Sequence, residues 1–382
     1  MKILLPVLIL FSSSSAEEFL LSNLNFSADV YKEQLKAARD NFLVCPFSAE
    51  IVLSLASLGA RGNTAEELTK GLRLPNDNAK IRNIFQTLSV NFEEERPYQL
   101  RSANKIYIAE GLTINKDYQA IAVDSFKADV ENINFNDSEK AAETINEWIE
   151  LKTNNKIREL VNKDSFSEST AFVLVNAMYF NGLWLHEFGK TFGLKIPFYV
   201  TKAETVDVEV FGGRNKFNHY YNDKLNAAFL ELPFVGNDIA MTFVLPKEKD
   251  GLKRLEMNIA EIFAKQPYLV TDIEVHLPKF KMESRVDFKS ILKSLGVHDA
   301  FTSVADFKGI SDTNVRITEI LQKTFIEVNE RGATAAAATE STAEFLSVPK
   351  ETFIADHPFL FFLKHDKYGI LFVGRYINPY NL

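Results

Sequence analysis

The chain has 382 residues, 46% hydrophobic and 12% aromatic, which supplies a large core and excludes disorder over most of its length. A formal charge of −8 without a dense basic cluster excludes general nucleic-acid binding and a polybasic membrane surface. A single cysteine, Cys45, leaves no internal disulfide, and a chain this long can bury enough surface without one.

The opening "MKILLPVLILFSSSSAEE" reads as a secretory signal peptide over residues 1–16. Lys2 gives the positive start, Ile3 to Phe11 the apolar stretch, and Ser14-Ser15-Ala16 the small-residue cleavage site that leaves Glu17 first. The alternative, a buried first helix, is disfavoured by Pro6 and the serine run. No other segment has the roughly 18 apolar residues of a membrane span. Residues 17–382 therefore read as one soluble, exported domain. Two sequons, Asn25 (Asn-Phe-Ser) and Asn136 (Asn-Asp-Ser), would each accept a glycan if exposed.

From Ala28 to Leu72 the pattern is helical, with an apolar run over Ile51–Leu58, a stop at Gly59, and a cap expected at Asn63 or Thr64. Within it, Cys45 is expected to be a buried structural thiol at a helix start rather than a nucleophile. Arg101 to Ile108 alternates like a strand. "AAETINEWIELKTNNKIREL" is amphipathic, with Ile145, Trp148, Ile149 and Ile157 on the inner face. "AFVLVNAMYFNGLWL" reads as a buried strand. A β-rich block follows, "AAFLELPF", "IAMTFVLP", "DIEVHLPKFKME", "FIEVNE", "FLFFLKH" and "GILFVGRYINP", interrupted by a helix that ends at Gly296. Strands and helices mix without regular βαβ alternation, so the fold class is α+β.

Enzyme signatures are absent as motifs: there is no Gly-x-Ser-x-Gly elbow and no His-Glu-x-x-His. The "GKT" at Gly189–Thr191 lacks the upstream glycine of a phosphate loop. His186, His219, His276, His298, His357 and His365 are scattered without ligand spacing, so neither a metal nor a cofactor is expected.

The stretch "NERGATAAAATESTAEFLSVP", Asn329 to Pro349, fits neither helix nor ordinary strand. With period two, Ala333, Ala335, Ala337, Thr339, Ser341 and Ala343 form one set in which every member is small and uncharged. Thr334, Ala336, Ala338, Glu340, Thr342 and Glu344 form the other, which holds both acids. One face would slide into a crowded sheet interior while the other stays in water, with Gly332 as a flexible hinge. By composition alone, a solvated loop of small residues remains the favoured alternative.

At this point the chain resembles the serpin family, insect members included, from about Ala28 to Pro379. "FIEVNERGATAAAAT" looks like the hinge of inhibitory members, and "DHPFLFFLKHDKYGILFVGRYINP" like the carboxy-terminal strand pair. "FVLVNAMYFNGLW" is similar to the family's shutter and breach strand, and "NFLVCPFSAEIVLSLASLGARGNTAEEL" to its second helix and beyond. Cys45 departs from a common serine, Asn181 from a frequent lysine and Arg331 from the second hinge glutamate. None of these opposes insertion of the loop into a sheet.

The resemblance implies about three β-sheets, eight or nine helices and an exposed reactive-centre loop over about residues 330–352. It implies a protease inhibitor, not an enzyme, whose hinge comprises Glu330, Gly332, Ala333, Thr334, Ala335, Ala336, Ala337 and Ala338. Family spacing from Gly332 places the reactive bond between Leu346 and Ser347, with Phe345 as the alternative. Leu346 suits a chymotrypsin- or elastase-like serine protease, which would be trapped covalently. Phe345-Leu346 also suits a papain-like cysteine protease, and a non-inhibitory carrier, storage protein or chaperone stays open. A monomer is expected. Heparin binding is not, since Lys80 and Arg82 are the only bases in "NDNAKIRNIFQTL".

Overall fold

The computed structural model describes residues 5–88, 97–189, 193–332 and 351–380, with side chains from Glu17 onward. Its helices are α1 (Leu5–Ala37), α2 (Pro46–Gly59), α3 (Gly62–Gly71), α4 (Asn78–Leu88), α5 (Lys116–Phe126), α6 (Ser138–Lys152), α7 (Leu252–Glu256), α8 (Ile259–Phe263) and α9 (Phe288–Ser294). The first seven strands are β1 (Phe42–Val44), β2 (Tyr98–Ala109), β3 (Asp129–Ile133), β4 (Phe172–Gly182), β5 (Lys195–Tyr199), β6 (Thr205–Asn222) and β7 (Ala227–Pro233). The rest are β8 (Ile239–Pro246), β9 (Leu269–Pro278), β10 (Phe280–Asp287), β11 (Glu319–Val328), β12 (Glu351–Ile354), β13 (Phe359–His365) and β14 (Gly369–Tyr376).

Every residue of helix α2 is buried, including the polar Ser48, Glu50, Ser54 and Ser57. Pro46 occupies the first turn, where its missing N–H costs nothing. Gly59 closes the helix where a Cβ would stand 2.2 Å from the Ile310 side chain.

A five-stranded sheet in the order β10-β11-β4-β2-β3 lies on one side of α2. Strand β4 is a mostly apolar run, interrupted by Asn176 and Asn181, because both its faces are covered. Phe172, Leu174, Met178 and Phe180 join the main core, while Val173, Val175 and Ala177 form a second cluster with Ile145 and Ile149 of α6. The second sheet has nine strands in the order β1-β14-β13-β8-β7-β6-β9-β12, with β5 paired to β6. What would otherwise be two small sheets is thus one hydrogen-bonded surface, because the 18-residue β6 runs through both.

Four expectations change. The span read as helical from Ala28 to Leu72 contains β1, which pairs with β14 far along the chain. Arg61, not Asn63 or Thr64, occupies the cap position of α3 and gives no side-chain cap bond. Asn63 instead donates to Asp299 (2.6 Å), and the Thr64 hydroxyl accepts the Asp306 N–H (3.0 Å). Helix α9 ends at Ser294, before Gly296. Ile157 is buried as expected, but beyond the end of α6.

Candidate functional site

The residues of interest gather where β4 and β11 end side by side. These two strands are parallel and directly paired, with Asn176 opposite Gln322, while each is antiparallel to its outer neighbour. Past Val328 the chain reverses in a tight turn in which Asn329 and Gly332 exchange N–H···O bonds of 3.1 Å each. The Asn329 side chain accepts the Arg331 N–H (3.0 Å), the local bond that makes asparagine a turn former. After the turn, Gly332 forms an antiparallel bridge with Leu183, just past the end of β4.

Gly332 is there for two reasons. Its φ of +119° is a conformation that side chains resist, and a Cβ would meet the Gly182 carbonyl oxygen at 2.2 Å. The sequence-level role of flexible hinge therefore becomes one of close backbone approach.

Trp184 fastens the turn. Its indole N–H donates to the Asn329 carbonyl (2.9 Å), and its backbone N–H to that of Arg331 (3.1 Å). The ring is buried and stacks on Phe234 at 4.3 Å between centroids. The Phe188 N–H holds the Glu330 carbonyl (3.2 Å).

Lys279 bridges the Glu330 carboxylate (3.0 Å) and Glu209 (2.7 Å), tying the turn to β6 of the other sheet. Burial opposes the charge on Glu330, but its backbone N–H and Lys279 outweigh it and hold the carboxyl below its usual range. For Lys279 burial likewise works against the charge, and the two carboxylates hold the ammonium above its usual range.

Beneath the β4–β11 seam lies a buried polar network. The Gln322 amide donates to Asn176 Oδ1 (2.6 Å) and the Cys45 carbonyl (2.9 Å), and its oxygen accepts the Cys45 N–H (3.1 Å). The Asn176 amide donates to the Ser48 carbonyl (2.9 Å), the Ser48 hydroxyl and Asn104 Oδ1 (2.6 Å). The amino end of α2 is thereby stitched to β2, β4 and β11. Cys45 itself is buried, its Sγ lies 3.3 Å from Met178 Sδ, and burial pushes its thiol pKa far up. It is a structural thiol and not a nucleophile.

Of the residues singled out in the sequence, Glu330 and Gly332 come together with Leu183–Phe188. Ala333, Thr334, Ala335, Ala336, Ala337 and Ala338, with Phe345, Leu346 and Ser347, lie outside the described residues. Asn25 is exposed on α1 with its amide on the Leu21 carbonyl (2.9 Å), and Asn136 is exposed just before α6. Sequence reasoning missed Lys279, Glu209, Trp184 and the Asn176–Gln322 pair. Asn176 did carry a signal, as the one polar residue within "FVLVNAMYF". Among the described residues no helix is long and apolar enough to cross a membrane.

Comparison with known proteins gives one consistent answer. The sequence model of the family described as "Serpin (serine protease inhibitor)" matches residues 21–379. Antichymotrypsin-2 of Bombyx mori is 36% identical over 366 residues, 94% of this chain and 97% of that protein. The leukocyte elastase inhibitor of Bos taurus is 34% identical, covering 95% of this chain and 100% of that one. The crystal structure of Serpin48, a highly specific serpin in the insect Tenebrio molitor, superposes with a TM-score of 0.88 at 39% identity, over 95% of this chain and 98% of that one. These relatives carry the names of inhibitors, not of enzymes. With the parallel seam and the two sheets in place, the chain belongs to the serpin family.

Proposed function

We propose that this protein is an exported suicide-substrate inhibitor of a chymotrypsin- or elastase-like serine protease, cut between Leu346 and Ser347. Cleavage leaves the Leu346 carbonyl esterified to the protease serine and frees the Ser347 amine, and the loop arm then enters the five-stranded sheet as a new strand between β4 and β11 and drags the acylated protease with it. The observation that carries this reading is the seam. A strand returning from the Asn329–Gly332 turn runs antiparallel to β11, and, because β4 is parallel to β11, antiparallel to β4 as well. Gly332 already bridges Leu183, which is the first rung of such a ladder.

The small uncharged set from Ala333 to Ala343 supplies the inward face. About fourteen residues at about 3.3 Å each move the bound protease roughly 45 Å. A dozen new backbone hydrogen bonds at about 1 kcal/mol each yield on the order of 10 kcal/mol, enough to distort one enzyme loop. The uncleaved state is then secured kinetically. Relatives named antichymotrypsin and leukocyte elastase inhibitor support a chymotrypsin- or elastase-like target.

Export with loss of residues 1–16 belongs to the same reading. Cleavage after Ala16 leaves the rest of α1 intact, including Glu18, which pairs with Lys80 at 2.6 Å. The test is incubation with chymotrypsin, with elastase and with papain, followed by denaturing gels and sequencing of the released peptide. A complex that survives denaturation with chymotrypsin or elastase, and a new amino terminus at Ser347, is expected. A trapped papain cut after Phe345 or Leu346 would move the target to the cysteine class. Turnover of the loop by all three enzymes without trapping would favour a carrier, storage or chaperone role.

A further inference from the structure

A cavity of about 660 Å³ opens beside the hinge, on the face of the nine-stranded sheet where β6, β7, β8 and the β13–β14 turn meet. Register fixes what points into it. Lys364 of β13 is opposite Ala240 of β8, which is opposite Pro233 of β7, so the three share a face. Glu231, two positions before Pro233, shares it too.

A cation and a carboxylate thus line one cavity without touching each other. The Glu231 carboxylate accepts from the Asn218 amide (3.0 Å). Among the described residues Lys364 forms no hydrogen bond or ion pair. Burial pushes the Glu231 carboxyl up and the Lys364 ammonium down, so both charges are short of water and of strong partners. Asp366 stands at the same wall as a second carboxylate. Lys216 and Asp238 add one charge of each sign. Leu185 and Val270 add apolar surface to the lining, beside the polar His186 and Asn218, and leave 37% and 71% of their surfaces exposed.

We propose that this cavity is a binding site for a small apolar zwitterion, of the free amino acid or dipeptide class. The carboxylate of such a ligand accepts from Lys364, its ammonium donates to Glu231 and Asp366, and its apolar body covers Leu185 and Val270. A ligand of one sign would satisfy half of this arrangement and repel the other half, whereas a zwitterion answers both. The volume is within the ordinary range of small-molecule sites, about 300–1,000 Å³. The site also adjoins both ends of the loop. Leu185 lies just beyond Leu183, the partner of Gly332, and Val270 just before Ile273, the partner of Glu351 at the start of β12. The proposal stands independently of the inhibitory reading, since its readout is binding to the uncleaved protein.

Isothermal titration of the full chain with L-leucine, with 4-methylpentanoate (carboxylate only) and with isoamylamine (ammonium only) tests it. Leucine is expected to bind saturably and more tightly than either one-charge analogue. Lys364→Met is expected to weaken leucine about tenfold or more, the size of one lost charge-assisted hydrogen bond, while sparing isoamylamine. Glu231→Gln is expected to weaken leucine while sparing 4-methylpentanoate. Circular dichroism checks folding of both variants, and if one fails to fold, the three ligands on the natural chain decide alone. The idea is overturned if leucine and Leu-Leu do not bind at millimolar concentration. It is equally overturned if a one-charge analogue binds as tightly as leucine, or if both folded variants bind leucine unchanged.

Discussion

The seam between β4 and β11 and the strand pair β13–β14 are both deeply buried, yet they are built in opposite ways. The pair is antiparallel, and every residue of β14 and all but one of β13 is buried. Aromatic rings weld it: Phe361 packs on Phe280 at 5.1 Å, and Phe359 stacks on Tyr376 at 5.1 Å. The seam is a parallel pairing with polar side chains at its centre, Asn176, Gln322 and Asn104, in mutual hydrogen bonds. Apolar packing of fitted shape has no alternative partner once parted. Amide side chains can exchange one partner for another, so the pairing that the proposed insertion would open is polar and the pair that it leaves intact is aromatic.

The strongest way to break this contrast acts on the segment proposed to fill the seam. Ala335→Arg puts a charge on its inward face, and loss of nearly all trapping is expected, with the protease turning the variant over as a substrate. Unchanged complex formation on denaturing gels would refute the inward-face assignment. On the fixed side, Phe361→Ala should cost about 3–5 kcal/mol and lower Tm by several degrees without changing the fraction of protease trapped. A trapping defect as large as the stability defect would erase the distinction.

Helix α2 touches both regions, and Glu50 marks its fixed side. Its carboxylate accepts from the Asn23 amide (2.9 Å), whose own oxygen holds the Ile370 N–H (2.7 Å) at the start of β14. Burial pushes the Glu50 pKa up to about 8, so the folded chain holds a proton there that the unfolded chain releases near the ordinary carboxylate value. Below that ordinary value both states are protonated and the contribution is full; as pH rises to about 8 it is lost. Stability should fall over this window by up to roughly 3–5 kcal/mol, and Glu50→Gln should remove that slope in denaturant titrations at several pH values. Equal slopes in both proteins would show that Glu50 is already ionised in the fold.

The smallest effect is expected at the seam itself. Gln322→Leu strands the Asn176 oxygen and the Cys45 backbone groups, costing about 1–3 kcal/mol. If those bonds hold the seam shut as the proposed insertion requires, inhibitory activity decays faster on storage at 37 °C. A fall in Tm with unchanged decay would make the network ordinary core.

Much of this was legible in the residues. The apolar run Ile51–Leu58 of α2, the strand at β2 and the burial of β4 follow from spacing and composition, although Ala103–Ile108 of β2 are all buried rather than alternately so. Strand β6 was not legible. Gly212, Gly213, Arg214 and Asn215 are poor strand formers, and β6 forms because β7, β9 and β5 pair along it. At Gly212 a side chain would even collide, with a Cβ 1.9 Å from the Val275 carbonyl oxygen. Helix α3 was misplaced at its start because Asn63 and Thr64, both good cap residues, serve partners more than two hundred positions away.

By itself the sequence determined the family, the α+β class and, after Gly332, a period-two set of small, uncharged residues. These are local properties, written in residue size, charge and periodicity. Only the tertiary structure decided that β4 and β11 run parallel, that Gly332 meets Leu183, and that Lys279 and Glu209 restrain Glu330. It also decided that Lys364, which forms no hydrogen bond or ion pair among the described residues, and Glu231 face one cavity. Each of these depends on segments remote in the chain meeting at a few ångströms, and no local pattern encodes such a distance.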